Sequence, residues 1–146
     1  MTWLWGNLPL VLDLTLNHIR LSIIPIVLGF VIAVPLGRLT LTSRYARATM
    51  ITAMSLLYTI PSLPLFVILP AIIGTRVLSD TNLIVALTIY AVAIMVRATS
   101  DAFFSVSADT KQAATAMGFS AWRRFWRVEF PLAGPVMLAG LRVVSV

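Results

Sequence analysis

Long apolar runs separated by short polar, basic stretches set the pattern of this chain. Leu21 to Gly37 carries no charge over 17 residues. As a helix that run rises about 26 Å, just enough to cross the hydrocarbon of a bilayer. Between Arg47 and Arg76 lie 28 uncharged residues, more than one straight helix needs, and between Asp80 and Arg97 lie 16, extendable at both ends. After Pro131 a fourth apolar stretch, Leu132 to Val146, is interrupted by Arg142 and stops short of a crossing. The pattern predicts an all-α integral membrane protein of one domain, with spans at about 16–37, 48–74, 80–100 and an incomplete one at 131–146. The chain is expected to end inside a helix, as a fragment or an early truncation would. Met1 to Gly6 is uncharged, so the basic start of a cleavable signal peptide is missing.

Composition supports the membrane reading. The chain is 60% hydrophobic and 11% charged, with a mean hydropathy of +0.98, far from the balance of a soluble domain. It has no cysteine, which excludes disulfides and thiolate metal sites. Its net charge of +6 reads as topology rather than as a nucleic-acid patch, because the cations are unevenly placed. Arg38, Arg44 and Arg47 follow the first span, and Arg97, Lys111, Arg123, Arg124 and Arg127 follow the third. Only Arg20 and Arg76 fall on the other side. The positive-inside bias then puts the larger group in the cytoplasm and the N-terminus outside, where Trp3, Trp5 and His18 suit the interface.

Within the spans the small residues and prolines are informative. Gly29, Ala33 and Gly37 form a small-xxx-small row that lets another backbone approach, or they are glycines of the kind common in any membrane helix. The run Thr59-Ile60-Pro61-Ser62-Leu63-Pro64 cannot be regular helix, since each proline removes a donor and disfavours helix in the residue before it. Irregular backbone at membrane depth is tolerated where it is buried in protein or lines a wet cavity. Tyr58, Pro61, Ser62, Pro64 and Tyr90 are therefore the candidate translocation pathway, with a plain proline kink as the alternative. Free carbonyls before Pro61 would suit a cation, and a half-helix starting at Ser62 would offer donors to a carboxylate. The two tyrosines either offer aromatic faces to a quaternary ammonium or simply pack.

The absences matter as much. Leu21 to Gly37, Ala48 to Thr75 and Thr81 to Val96 contain no Asp, Glu, His or Lys, which disfavours a proton-coupled carrier. Lys111 has no glycine-rich phosphate loop before it, and no recognisable hydrolase or metal-ligand motif occurs. Nothing here marks an enzyme, and active transport would have to draw its energy from a partner.

One segment, Gln112 to Pro131, looks built for such a partner. Asp109 is a candidate N-cap, paired with Gln112 in a capping-box-like arrangement. Ala113, Ala114 and Ala116 make a slim helix with exposed alanines, and Gly118 ends it. Ser120 caps a second short helix whose Trp122 and Trp126 share a face, and Pro131 starts the next span. Such a loop, at about residues 107–130, either grips a cytoplasmic protein or rests on lipid.

The same segment resembles the loop E-A-A-x3-G-x9-I-x-L-P of the permease subunits of bacterial ABC importers. Gln112-Ala113-Ala114, Gly118 and Val128-Glu129-Phe130-Pro131 match its spacing at every step, with Gln112 for glutamate, Val128 for isoleucine and Phe130 for leucine. Val34-Pro35-Leu36-Gly37, the Thr59 to Pro64 run, and Pro131 through Ala139-Gly140-Leu141-Arg142 resemble the osmoprotectant branch, for glycine betaine, carnitine and choline. The resemblance covers nearly the whole chain. It implies a type I importer permease bundle in the bacterial plasma membrane, with Gln112, Ala113, Ala114, Gly118 and Pro131 in the coupling loop. It further implies a separate ATP-binding subunit, a second permease copy or homologue, and an extracytoplasmic substrate-binding protein; no cofactor is expected in this chain itself. A permease for another small solute such as an amino acid, or a membrane scaffold recruiting a cytoplasmic protein, are the alternatives.

Overall fold

A computed structural model describes residues 5–145; Trp3 and Val146, on which the interfacial placement and the unfinished last helix partly rest, lie outside the described residues. Every regular element among the described residues is helical. They are α1 (Leu8–Leu39), α2 (Arg44–Thr59), α3 (Ser62–Ile73), α4 (Asp80–Ser105), α5 (Ala108–Ala116), α6 (Ala121–Arg124), a π-helical turn (Phe125–Glu129) and α7 (Phe130–Val144).

By length and composition α1 and α4 are each apolar enough to cross a membrane, and α2 with α3 would make a third crossing if the bent pair counts as one. α1 starts well before the expected residue 16. Its 32 residues rise about 48 Å, and all of its first third but Val11 is exposed. α4 is the hub, packing against α1, α2, α3 and α7.

The small-residue row is a packing face. A Cβ added to Gly29 would stand 2.5 Å from Ala91 Cβ, and one added to Gly37 would run into the Thr99 side chain. Ala33 between them is fully buried. At this closeness polar groups bridge the helices: Thr99 Oγ1 donates to Ala33 O at 3.1 Å, and the Thr40 and Ser100 hydroxyls lie 2.8 Å apart. Lipid is as apolar as leucine, so close backbone approach and interhelical hydrogen bonds hold such a pair together. Gly140 repeats the device on α7, where an added Cβ would collide with Ala98 of α4.

The second apolar stretch breaks as expected, with α2 and α3 meeting at 100°. Ile60 and Pro61 are extended, with ψ of 124° and 138°. The two prolines do different jobs. Pro61 ends the helix, whereas Pro64 sits inside the first turn of α3, where a missing N–H is harmless to the helix. Ile60, extended and ahead of the α3 cap, holds its carbonyl outside the helix ladder, where it needs another donor. Tyr90 of α4 supplies one, its hydroxyl donating to Ile60 O at 2.6 Å. Pro70 frees the carbonyl of Phe66, and the buried Asn82 of α4 donates to it at 3.0 Å and to Val77 O at 2.9 Å. The carbonyl at the break and the one that Pro70 frees within α3 thus fix this segment against α4.

Candidate functional site

At one end of the bundle α5, α6 and the π-turn form a compact structure. α5 is capped not by Asp109 but by Ser107, whose hydroxyl accepts from the Thr110 amide at 3.2 Å; Asp109 falls in the first turn instead, a favourable place for an acid at the helix N-terminus. Lys111 Nζ donates to Phe103 O at 3.0 Å, tying α5 to the carbonyl end of α4. Gly118 ends α5 with φ of +81°, as expected. Phe119 N–H reaches back to Ala114 O at 3.1 Å and Gly118 N–H to Thr115 O at 2.9 Å, the paired bonds of a Schellman motif.

Two expectations are corrected here. The alanines are not all exposed: Gln112, Ala113 and Ala116 face outward, while Ala114 is 1% exposed and packs inward. The second short helix is not separate either. Ser120 caps α6, but the chain then runs without interruption through the π-turn into α7. Pro131 lies in the first turn of α7, and in a regular helix its ring would collide with the carbonyl of Arg127. The widened turn just before it, closed by Phe130 N–H to Phe125 O, relieves that crowding.

The residue that organises this end is one that sequence reasoning misses. Glu129 is 1% exposed. Its Oε1 accepts from Arg124 Nε at 2.8 Å and its Oε2 from Arg38 Nη1 at 3.2 Å. Arg124 also donates to Thr115 Oγ1 at 2.7 Å, which closes α6 onto α5. Arg38, at the end of α1, lies 4.8 Å from the centre of the Phe125 ring. One buried carboxylate therefore joins α1, α5, α6 and α7, over a core containing Phe103, Phe125, Ala133 and Met137. A buried charge needs such pairing to persist. A second ion pair, Arg47 to Asp101 at 2.9 Å, joins α2 to α4 at the same end. Trp122 and Trp126 share a face as expected, ring centres 5.7 Å apart, with Trp122 largely exposed.

The candidate pathway residues also come together in part. Tyr58 and Tyr90 meet edge to face with ring centres 6.2 Å apart, beside the break at Ile60 and Pro61. Ser62, Pro61 and Pro64 are exposed on the turn itself. The carbonyl of Ile60 is not free, because Tyr90 occupies it. Arg97 is not a loop residue: it stands two turns inside the end of α4.

Residues 25–146 match the family model described as the binding-protein-dependent transport system inner membrane component. The whole chain is 30% identical to the glycine betaine/carnitine/choline transport system permease protein OpuCB of Bacillus subtilis, covering 66% of it. It is 31% identical over 92% of its length to the osmoprotectant import permease protein OsmW of Salmonella typhimurium, covering 63% of that protein. It is 34% identical over 82% of its length to the ergothioneine transport permease/ergothioneine binding protein EgtU of Helicobacter pylori, covering 21%. The chain thus spans about two thirds or less of the length of these curated relatives. With residues 25–146 matched, the chain belongs to the family of inner-membrane components of binding-protein-dependent transport systems.

Proposed function

We propose that this chain is the membrane-spanning subunit of an ABC importer for quaternary-ammonium osmolytes such as glycine betaine, carnitine and choline, with the N-terminus outside. The loop at about 107–130 docks on a separate cytoplasmic subunit that binds and hydrolyses ATP. A second permease copy or homologue completes the pathway, and an extracytoplasmic binding protein delivers the solute. The observation that carries the reading is the loop itself. A motif spaced like the family's coupling loop forms a short, doubly capped helix that turns Gln112 and Ala113 outward and is anchored to α1 and α7 through Glu129. Gln112, Ala113 and the neighbouring turn at Gly118 form the docking face; Ala114 supports it from within, and Pro131 marks where the loop enters the membrane helix. Tyr58, Pro61, Ser62, Pro64 and Tyr90 line the solute route at the helix break.

The test is ATP-driven uptake in vesicles that hold the permease with its ATPase and binding protein. Ala113→Trp adds bulk to the outward face and should abolish uptake while leaving the folded protein in the membrane. Normal uptake by that variant would rule out the docking face. The likeness to EgtU favours a second reading, a permease of the same build for another small solute; uptake of none of the three osmolytes by the unaltered system would select it.

A further inference from the structure

The structure also holds, among the described residues, a cation without an acidic partner inside a long apolar helix. Arg97 lies within α4, among residues apolar enough to cross a bilayer. Its guanidinium has no acidic partner among the described residues. Asp101, one turn on, is held by Arg47, and Glu129 by Arg38 and Arg124. An arginine inside a span is costly and is normally matched by an anion, by water or by function.

Arg97 lines a cavity of about 390 Å³ together with Ser55, Tyr58 and Thr59 of α2, Ile94 of α4 and Val143 of α7. That volume falls within the range of small-molecule sites. The cavity joins three features that a zwitterion needs. Arg97 presents a planar fork suited to a carboxylate. Tyr58, edge to face with Tyr90, offers an aromatic surface to a methylated ammonium. Ser55 and Thr59 add hydroxyls to the wall, and Met54, Ala93, Ile94 and Val143 make the rest of it apolar.

We infer that this cavity is a solute site that takes a small zwitterion, with its carboxylate on Arg97 and its quaternary ammonium against Tyr58. The inference rests on the importer reading and sharpens it, because the site distinguishes carboxylated osmolytes from choline, which carries no carboxylate. The full chain in lipid nanodiscs tests it by saturation-transfer NMR on the trimethylammonium protons of glycine betaine, carnitine and choline. Glycine betaine and carnitine should bind the wild type at least fivefold more tightly than choline. Arg97→Gln should bring both down to the choline level, Arg97→Lys should recover to within about threefold of wild type, and Tyr58→Ala should weaken all three alike. Equal binding of choline and glycine betaine by the wild type, or an Arg97→Gln variant that still prefers carboxylates, would overturn the site, as would absence of binding altogether. Failure of the importer reading shows separately, in the vesicle uptake assay, whatever these titrations give.

Discussion

Glu129 is the single side chain on which most of the loop's geometry depends. Glu129→Gln keeps the shape but removes the charge that two arginines share, leaving Arg38 and Arg124 with a weaker acceptor. Those arginines are partly exposed, so the loss should be smaller than for a fully buried pair, roughly 1–3 kcal/mol. Thermal unfolding in detergent should show it as a lowered midpoint. The glycines offer a sharper contrast. A methyl added at Gly134 would meet nothing within 4 Å, so Gly134→Ala should gain up to about 1 kcal/mol from helix propensity. Gly37→Ala gains the same propensity but drives a methyl into Thr99, and overpacking should leave a net loss of about 1–2 kcal/mol. Opposite shifts in melting temperature for two identical substitutions would confirm that the small-residue row is a contact face. Equal shifts would not fit it.

Among the elements, α3 shows what holds a bent segment in place. Asn82→Leu removes the donor to Phe66 O and Val77 O and should cost about 2 kcal/mol, concentrated in α3. Hydrogen exchange should rise in residues 62–79 and change little in α1; a uniform rise would mean that α3 is not separately pinned. The break at Pro61, the stop at Gly118 and the spacing of Gly29, Ala33 and Gly37 are all legible in the sequence, because each depends on residues within one or two turns. The anchors are not. Glu129 meets Arg38 from 91 positions away, and Asn82 reaches Phe66 only because the chain turns back between α3 and α4. A glutamate at the unspecified position of a family motif and an asparagine at a helix start carry no local mark of those partners. Arg97 is misplaced for a related reason: charge counting locates loops, and a cation kept inside a span looks the same in the sequence as one outside it.

For the molecule as a whole, the proposed orientation has a direct check, made clean by the absence of cysteine. Ala116→Cys in the loop should react with a membrane-impermeant maleimide only in inside-out vesicles. Leu78→Cys, in the highly exposed turn before α4, should react only in right-side-out ones. The reverse labelling would invert the topology. The unbroken helical run from Ala121 to Val144 adds a mechanical consequence. Glu129 divides that run into arms of about 12 Å and 21 Å, the longer one reaching Val143 in the wall of the Arg97 cavity. If the run turns as a rigid rod about Glu129, the arms act as a lever. A push of about 2 Å at Ala121 would then become about 3.5 Å at Val143, enlarged by the ratio of those lengths.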